Sequence, residues 1–156
     1  MNKNEMQSLI KELIEKTTIP VKEVVVLEDE SKTTCFSVEV TEPHFFIGRG
    51  GEALFALNHI FRKIVEAKRA PDSEEEINIM VDINGFQKKR IENLHATAHM
   101  MAERARYFKS SIEVDPMPAF ERRIIHEFLS EETDLKTEST GEGMSRRVVI
   151  KYTGAI

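Results

Sequence analysis

The chain has 156 residues, 40% hydrophobic and 31% charged, which suits one ordinary domain or two small ones packed around their own cores. No apolar run approaches the roughly 18–20 residues of a membrane span, and a single cysteine, Cys35, excludes an internal disulfide and a Cys-based zinc site and points to a cytoplasmic location. The net charge of −5 argues against a phosphate-rich partner only on average, because a phosphate backbone feels the local field and not the sum.

Residues 4–16 read as a helix, since Met6, Leu9, Ile10, Leu13 and Ile14 recur at helical spacing and Ile19-Pro20 stops it. A β-branched strand follows from Val21 to Leu27, then a turn at Glu28-Asp29-Glu30-Ser31-Lys32. Thr34, Phe36, Val38 and Val40 alternate with polar positions, as in a strand with one buried face, so an antiparallel hairpin is expected. A short helical turn at Pro43–Ile47 leads into Gly48-Arg49-Gly50-Gly51. The next helix, Glu52 to about Ala67, carries Leu54, Leu57, Ile60, Phe61 and Ile64 on one face, and an acidic loop precedes a third strand at Ile77, Ile79, Val81 and Ile83. The order over residues 4–83 is α-β-β-α-α-β.

Asn84-Gly85 marks the expected boundary. Beyond it a long helix, about Gln87 to Phe108, uses Ile91, Leu94, Ala98, Met101 and Ala105 as its apolar stripe. A short strand at Ile112–Val114, a helix from Ala119 to Leu129, and strands near 135–139 and 147–152 complete an α-β-α-β-β order.

Charge is distributed unevenly. From Asn84 to Ser111 there are six basic residues (Lys88, Lys89, Arg90, Arg104, Arg106, Lys109) against two acids, whereas Glu127 to Glu142 holds six acids against Lys136. The acidic stretch is expected to repel nucleic acid and confine it to one face, although such runs are usually solvated surface.

Two motifs carry chemistry. Glycines let backbone approach a ligand closely, and at Gly48-Arg49-Gly50-Gly51 they precede a helix whose first N–H groups lack intrahelical partners. Such a loop can cradle phosphate, with Arg49 adding a full charge; a tight turn that merely needs glycine is the competing reading. In Glu121-Arg122-Arg123-Ile124-Ile125-His126, Arg122 and His126 are four apart, so they stack one turn above each other at the edge of an apolar face. An arginine and a histidine so held can grip one phosphate, or else form an edge-of-core pair satisfied by backbone carbonyls.

A GxxG loop between two helices inside α-β-β-α-α-β resembles the type II KH domain, which implies that the loop clamps single-stranded backbone; Gly50 stands where such loops often carry a second basic residue. The Arg-x-x-x-His helix, the preceding Pro116-Met117, and the downstream Thr137-x-Ser139-x-Gly141-Glu142-Gly143 and Arg146-Arg147-Val148-Val149-Ile150 resemble the domain named for that motif. In this order the two resemble the bacterial Jag proteins, also called KhpB, over about Pro20 to Tyr152.

The resemblance implies an α+β chain with a type II KH-like domain at 1–83 and an Arg-x-x-x-His (R-3-H) domain at 84–156. It implies a cytoplasmic protein that binds single-stranded RNA, or single-stranded DNA, in the control of bacterial cell elongation and division. It further implies pairing, as a homodimer or with a small protein consisting of a lone KH domain. Jag proteins usually begin with an additional small domain and a linker; this sequence starts almost at the KH helix, so roles that need that domain are set aside.

The candidate nucleic-acid-binding residues are Gly48, Arg49, Gly50, Gly51, Lys88, Lys89, Arg90, Arg122, His126, Arg146 and Arg147. No catalytic residue, metal ligand or cofactor is expected. His95, His99 and Glu103 recur at four-residue steps, but Ala96 stands where a zinc-protease helix needs glutamate. Phosphodiester cleavage by His126 beside Arg122, and a pure interaction scaffold, are the competing functional readings.

Overall fold

The computed structural model describes every residue except Ser31, Ala155 and Ile156, and the chain divides into two compact units, Met1–Gln87 and the part from Lys88 onward. Each mixes helices with a three-stranded sheet, so the chain is α+β.

The first unit runs α1 (Lys3–Glu15), β1 (Val21–Glu28), β2 (Thr34–Val40), α2 (His44–Ile47), a 3-10 turn at Arg49–Gly51, α3 (Glu52–Ala67) and β3 (Ile79–Ile83). A capping box starts α1: Asn2 Oδ1 accepts the Glu5 N–H at 2.9 Å, and the Glu5 carboxylate accepts the Asn2 N–H at 2.8 Å. The turn expected at 28–32 is closed by Asp29, whose Oδ1 accepts from the Thr33 N–H at 2.9 Å; Ser31 of that turn lies outside the described residues.

The sheet order is β1-β2-β3, with β2 antiparallel to β1 and parallel to β3. A parallel neighbour needs a crossover, and α2 and α3 supply it. β2 lies in the middle, and its alternate residues Thr34, Phe36, Val38 and Val40 are all buried. Phe36 meets Phe61 of α3 edge to face, ring centroids 5.5 Å apart, among Ile10, Ile14, Val81 and Ile83. The buried line of α3 is Leu54, Phe61 and Val65, and Ile60, expected on that face, is half exposed instead. The 3.6-residue period explains this: one residue before Phe61, Ile60 is turned by about 100°. Ile77 precedes β3 because the parallel ladder begins at Thr34 opposite Ile79.

Two asparagines act as backbone clamps. Asn58 of α3 accepts the Val81 N–H at 2.7 Å and donates to the Val81 carbonyl at 2.9 Å. Asn84, with φ +49°, brackets Val40 the same way at 2.9 and 3.1 Å. Asn84-Gly85 is therefore built into the first unit, which ends at Gln87, whose N–H is accepted by Asp82 Oδ1 at 2.7 Å.

The second unit takes most of α4 (Phe86–Phe108), then β4 (Ile112–Glu113), α5 (Ala119–Phe128), β5 (Leu135–Thr140) and β6 (Arg147–Tyr152). Its sheet is antiparallel, in the order β4-β6-β5. The buried side of α4 is Leu94, Ala98, Ala102 and Ala105, packed with Ile125, Leu129, Val148 and Ile150. Three alanines in that line let the helix lie close to its neighbours. Arg106 binds Asp134 through two nitrogens at 2.7 and 2.8 Å, and also Glu132 and Glu103 at 2.7 Å each. Among the described residues no helix is long and apolar enough to cross a membrane.

Candidate nucleic-acid interface

The glycine loop owes its shape to three left-handed residues. Gly48 (φ +72°, ψ −167°) ends α2, Gly50 (φ +58°) lies within the 3-10 turn, and Gly51 (φ +91°) caps α3. A Cβ at Gly48 would meet Ala53 Cβ, Ala53 N and Glu52 Cγ at 3.0 Å, and one at Gly51 would lie 2.9 Å from Phe86 Cε1, so both glycines are required by space as well as by φ. Nothing lies within 4 Å of a Cβ at Gly50. Arg49 is exposed at the tip, ahead of the N-terminal turn of a 16-residue helix. The loop thus presents backbone and one cation to solvent.

In the second unit Arg122 and His126 lie on one side of α5 against β5. Arg122 donates through Nη1 to Ser139 Oγ at 2.6 Å and through Nε to the Met117 carbonyl at 3.1 Å. His126 Nδ1 lies 2.7 Å from Thr137 Oγ1. The spacings match: a helical i,i+4 step rises about 6 Å, and a strand i,i+2 step about 6.6 Å. Two side chains on α5 can therefore each meet one hydroxyl on β5, running in opposite directions. Thr137 and Ser139 were absent from the predicted site. Their signal was a T-x-S pair on one strand face, at the same pitch as R-x-x-x-H.

Among the described residues Arg122 Nη2 and His126 Nε2 have no protein partner, and both residues are half-buried. Each side chain is thus fixed at one end and unpartnered at the other, a corner that can receive an anionic oxygen through the Arg122 guanidinium. Burial, and then the Arg122 charge, hold the His126 pKa below the usual histidine value. Both effects favour the neutral ring.

The other predicted cations are placed differently. Arg146 donates through Nη1 to the Gly141 carbonyl at 2.7 Å while its backbone carbonyl accepts from the Met117 N–H at 3.2 Å. It ties the β5–β6 connection to the segment that holds Arg122, and no carboxylate among the described residues pairs with it. Arg147 donates to the Ser145 carbonyl at 3.3 Å and to Glu113 at 3.4 Å. Arg90 donates through Nε to Glu121 Oε1 at 2.6 Å, and Glu121 is only 8% exposed. Arg90 and Arg147 thus each meet a carboxylate of the same unit. Lys88 and Lys89 are exposed on the first turns of α4.

The acidic stretch is less one-sided than its sequence suggests. Glu132 and Asp134 bind Arg106, and Glu138 binds Lys151 at 2.8 Å, so three of its six acids are internally paired. His95 stacks on Phe128, with centroids 4.5 Å apart and planes 14° apart. Burial, with Asp82 and Asp29 adding to it, pushes the Cys35 thiol up to about 11, the opposite of what a nucleophile needs.

Residues 92–152 match the R-3-H domain family. The chain is 32% identical over 130 residues to the RNA-binding protein KhpB of Bacillus subtilis, covering 82% of this chain and 61% of that protein. It is 31% identical over 104 residues to the RNA-binding protein KhpB of Clostridium symbiosum, covering 67% and 45%, and 26% identical to its namesake in Lactiplantibacillus plantarum, covering 72% and 34%. The chain thus spans between about a third and three fifths of the length of these relatives. Over the stretch it shares with them, the chain belongs to the Jag/KhpB family.

Proposed function

We propose that this chain binds single-stranded nucleic acid, RNA foremost and DNA as an alternative, by gripping phosphates at the Arg122–His126 corner and at the Gly48–Gly51 loop. The observation that carries this is that each side chain is held at one end, Arg122 Nη1 by Ser139 Oγ and His126 Nδ1 by Thr137 Oγ1, while Arg122 Nη2 and His126 Nε2 have no partner among the described residues. Guanidinium and imidazole so preorganised suit a phosphate oxygen, because little rotamer freedom remains to be lost on binding. The names of the relatives support the same reading.

In this account the first unit acts as a type II KH-like module and the second as the Arg-x-x-x-His module. Arg49, Lys88, Lys89 and Arg146 add positive potential, and Arg90 and Arg147 are framework. The chain is a binding module without catalytic activity, working in the cytoplasm, with the single cysteine in keeping with that compartment. A role in post-transcriptional control of cell elongation and division follows from the family resemblance. The test is fluorescence anisotropy of a labelled mixed-sequence single-stranded RNA with wild type, Arg49→Glu and Arg122→Ala/His126→Ala. Weakening by both changes, and a log–log salt slope of about −2 to −4 from a few phosphate contacts, are expected. RNA cleavage lost in His126→Ala would instead establish an enzyme.

A second reading is favoured by Phe45 (60% exposed), Phe55 (66%) and Ile60 (51%) on α2 and α3. Here the KH-like unit serves as a scaffold, pairing with itself or with a small KH-domain protein. That reading expects sedimentation as a dimer and unchanged function in Arg49→Glu.

A further inference from the structure

The two ring nitrogens of His126 have different surroundings. Nδ1 faces the Thr137 hydroxyl at 2.7 Å, whereas Nε2 has no partner among the described residues. A neutral imidazole carries one N–H, so one nitrogen donates and the other accepts. With the proton on Nδ1, the ring would donate to Thr137 and turn the Nε2 lone pair toward any arriving phosphate oxygen, and two lone pairs repel. With the proton on Nε2, the Thr137 hydroxyl donates inward and the ring donates outward.

We propose that Thr137 is a positioning residue whose hydroxyl donates to Nδ1 and holds neutral His126 as the Nε2–H tautomer, so that a nucleic-acid phosphate meets a donor before the ring is protonated. This rests on the phosphate reading of the corner. A carboxylate behind the ring would accept from Nδ1 and favour the imidazolium; a hydroxyl does not impose that charge.

The neighbouring groups fit the assignment. On α5 the charge beside the ring is Arg122, one turn away, which together with burial favours the neutral form. On β5 the ring meets Thr137, and Ser139 serves Arg122, while Glu138 alternates away to pair with Lys151. On β6 the residues opposite Thr137 and Ser139 are Ile150 and Val148. None of these supplies a carboxylate to Nδ1. Because a hydroxyl rotates, Thr137 can also accept from the imidazolium at lower pH, so its importance falls as the ring charges.

The experiment uses the full chain with 15N-labelled histidine, as wild type, Thr137→Val and Thr137→Ser. At pH 7.5 the His126 ring of wild type and of Thr137→Ser should show the Nε2–H pattern of 15N shifts. Affinity for a mixed-sequence single-stranded RNA should fall about 3- to 10-fold in Thr137→Val, stay near wild type in Thr137→Ser, and converge at pH 5.5. The β-branched valine suits the strand, and the serine variant guards against a folding defect. An Nδ1–H tautomer in wild type, or Thr137→Val binding as wild type at pH 7.5, overturns the inference. An Nε2–H ring in a wild type that binds no RNA overturns the phosphate reading, and with it the purpose assigned to Thr137.

Discussion

A single methyl group added at each loop glycine should separate one mild site, Gly50, from two costly ones, Gly48 and Gly51. At Gly50 the backbone is left-handed (φ +58°, ψ 15°) but the space is open, so Gly50→Ala should cost only the left-handed penalty, about 1–2 kcal/mol. At Gly51 the penalty recurs, and the new Cβ lies 2.9 Å from Phe86 Cε1, a half-buried ring packed on the core. Displacing that ring adds overpacking, for a total of about 2–4 kcal/mol. At Gly48 the backbone (φ +72°, ψ −167°) occupies a region kept essentially for glycine, and two of three contacts at 3.0 Å are to Ala53 N and Cβ, which cannot swing aside. The loss there should again be about 2–4 kcal/mol. Urea unfolding combined with hydrogen exchange of the β2 segment reads these losses in the first unit. If Gly48→Ala proves as mild as Gly50→Ala, the loop is not held as described.

Four further outcomes are expected. Arg122→Lys should weaken RNA binding about 10-fold or more, because the Met117 and Ser139 contacts are made by two separate guanidinium nitrogens and a lysine gathers all its donors on one atom, without the planar fork that reaches a phosphate; anisotropy reads this directly. Arg90→Met should lower stability by about 1–3 kcal/mol, leaving the nearly buried Glu121 carboxylate unpaired, with RNA affinity of the folded protein unchanged; thermal melts beside binding curves separate the two. The folded His126 pKa lies below its unfolded value near 6.5, so its contribution to stability is complete above pH 6.5 and declines as pH falls toward the folded pKa. His126→Gln should flatten that part of the stability–pH profile. A bound phosphate should pull the pKa back up, so binding should take up protons where the ring titrates, which calorimetry in two buffers detects.

Much of this molecule was legible in its sequence wherever one element's periodicity decides the answer. The alternation of β2, the helical stripe of α1, the glycine loop and the stacked Arg122–His126 pair all follow from spacing along a single element. What spacing does not carry is which element comes alongside. The parallel pairing of β2 with β3, the clamps from Asn58 and Asn84, and the Thr137 and Ser139 hydroxyls are tertiary facts. The same limit explains the charged residues. Arg90, Arg106 and Arg147 read as surface cations along the chain, yet each meets a carboxylate distant in sequence. Counting charge by segment therefore overstated both the basic helix and the acidic stretch.

The central claim is that Arg122 and His126 together hold a phosphate of a single strand. The most direct measurement is a side-chain NMR titration of 15N-labelled protein with a short mixed-sequence single-stranded RNA, following the Arg122 Nε–H and the His126 ring nitrogens. The account predicts saturable shifts of both residues at one midpoint, with the His126 pKa rising in the complex and the shifts fading as salt is added. Saturable binding that leaves both side chains at their free positions would contradict it, and would move the nucleic-acid site elsewhere on the chain.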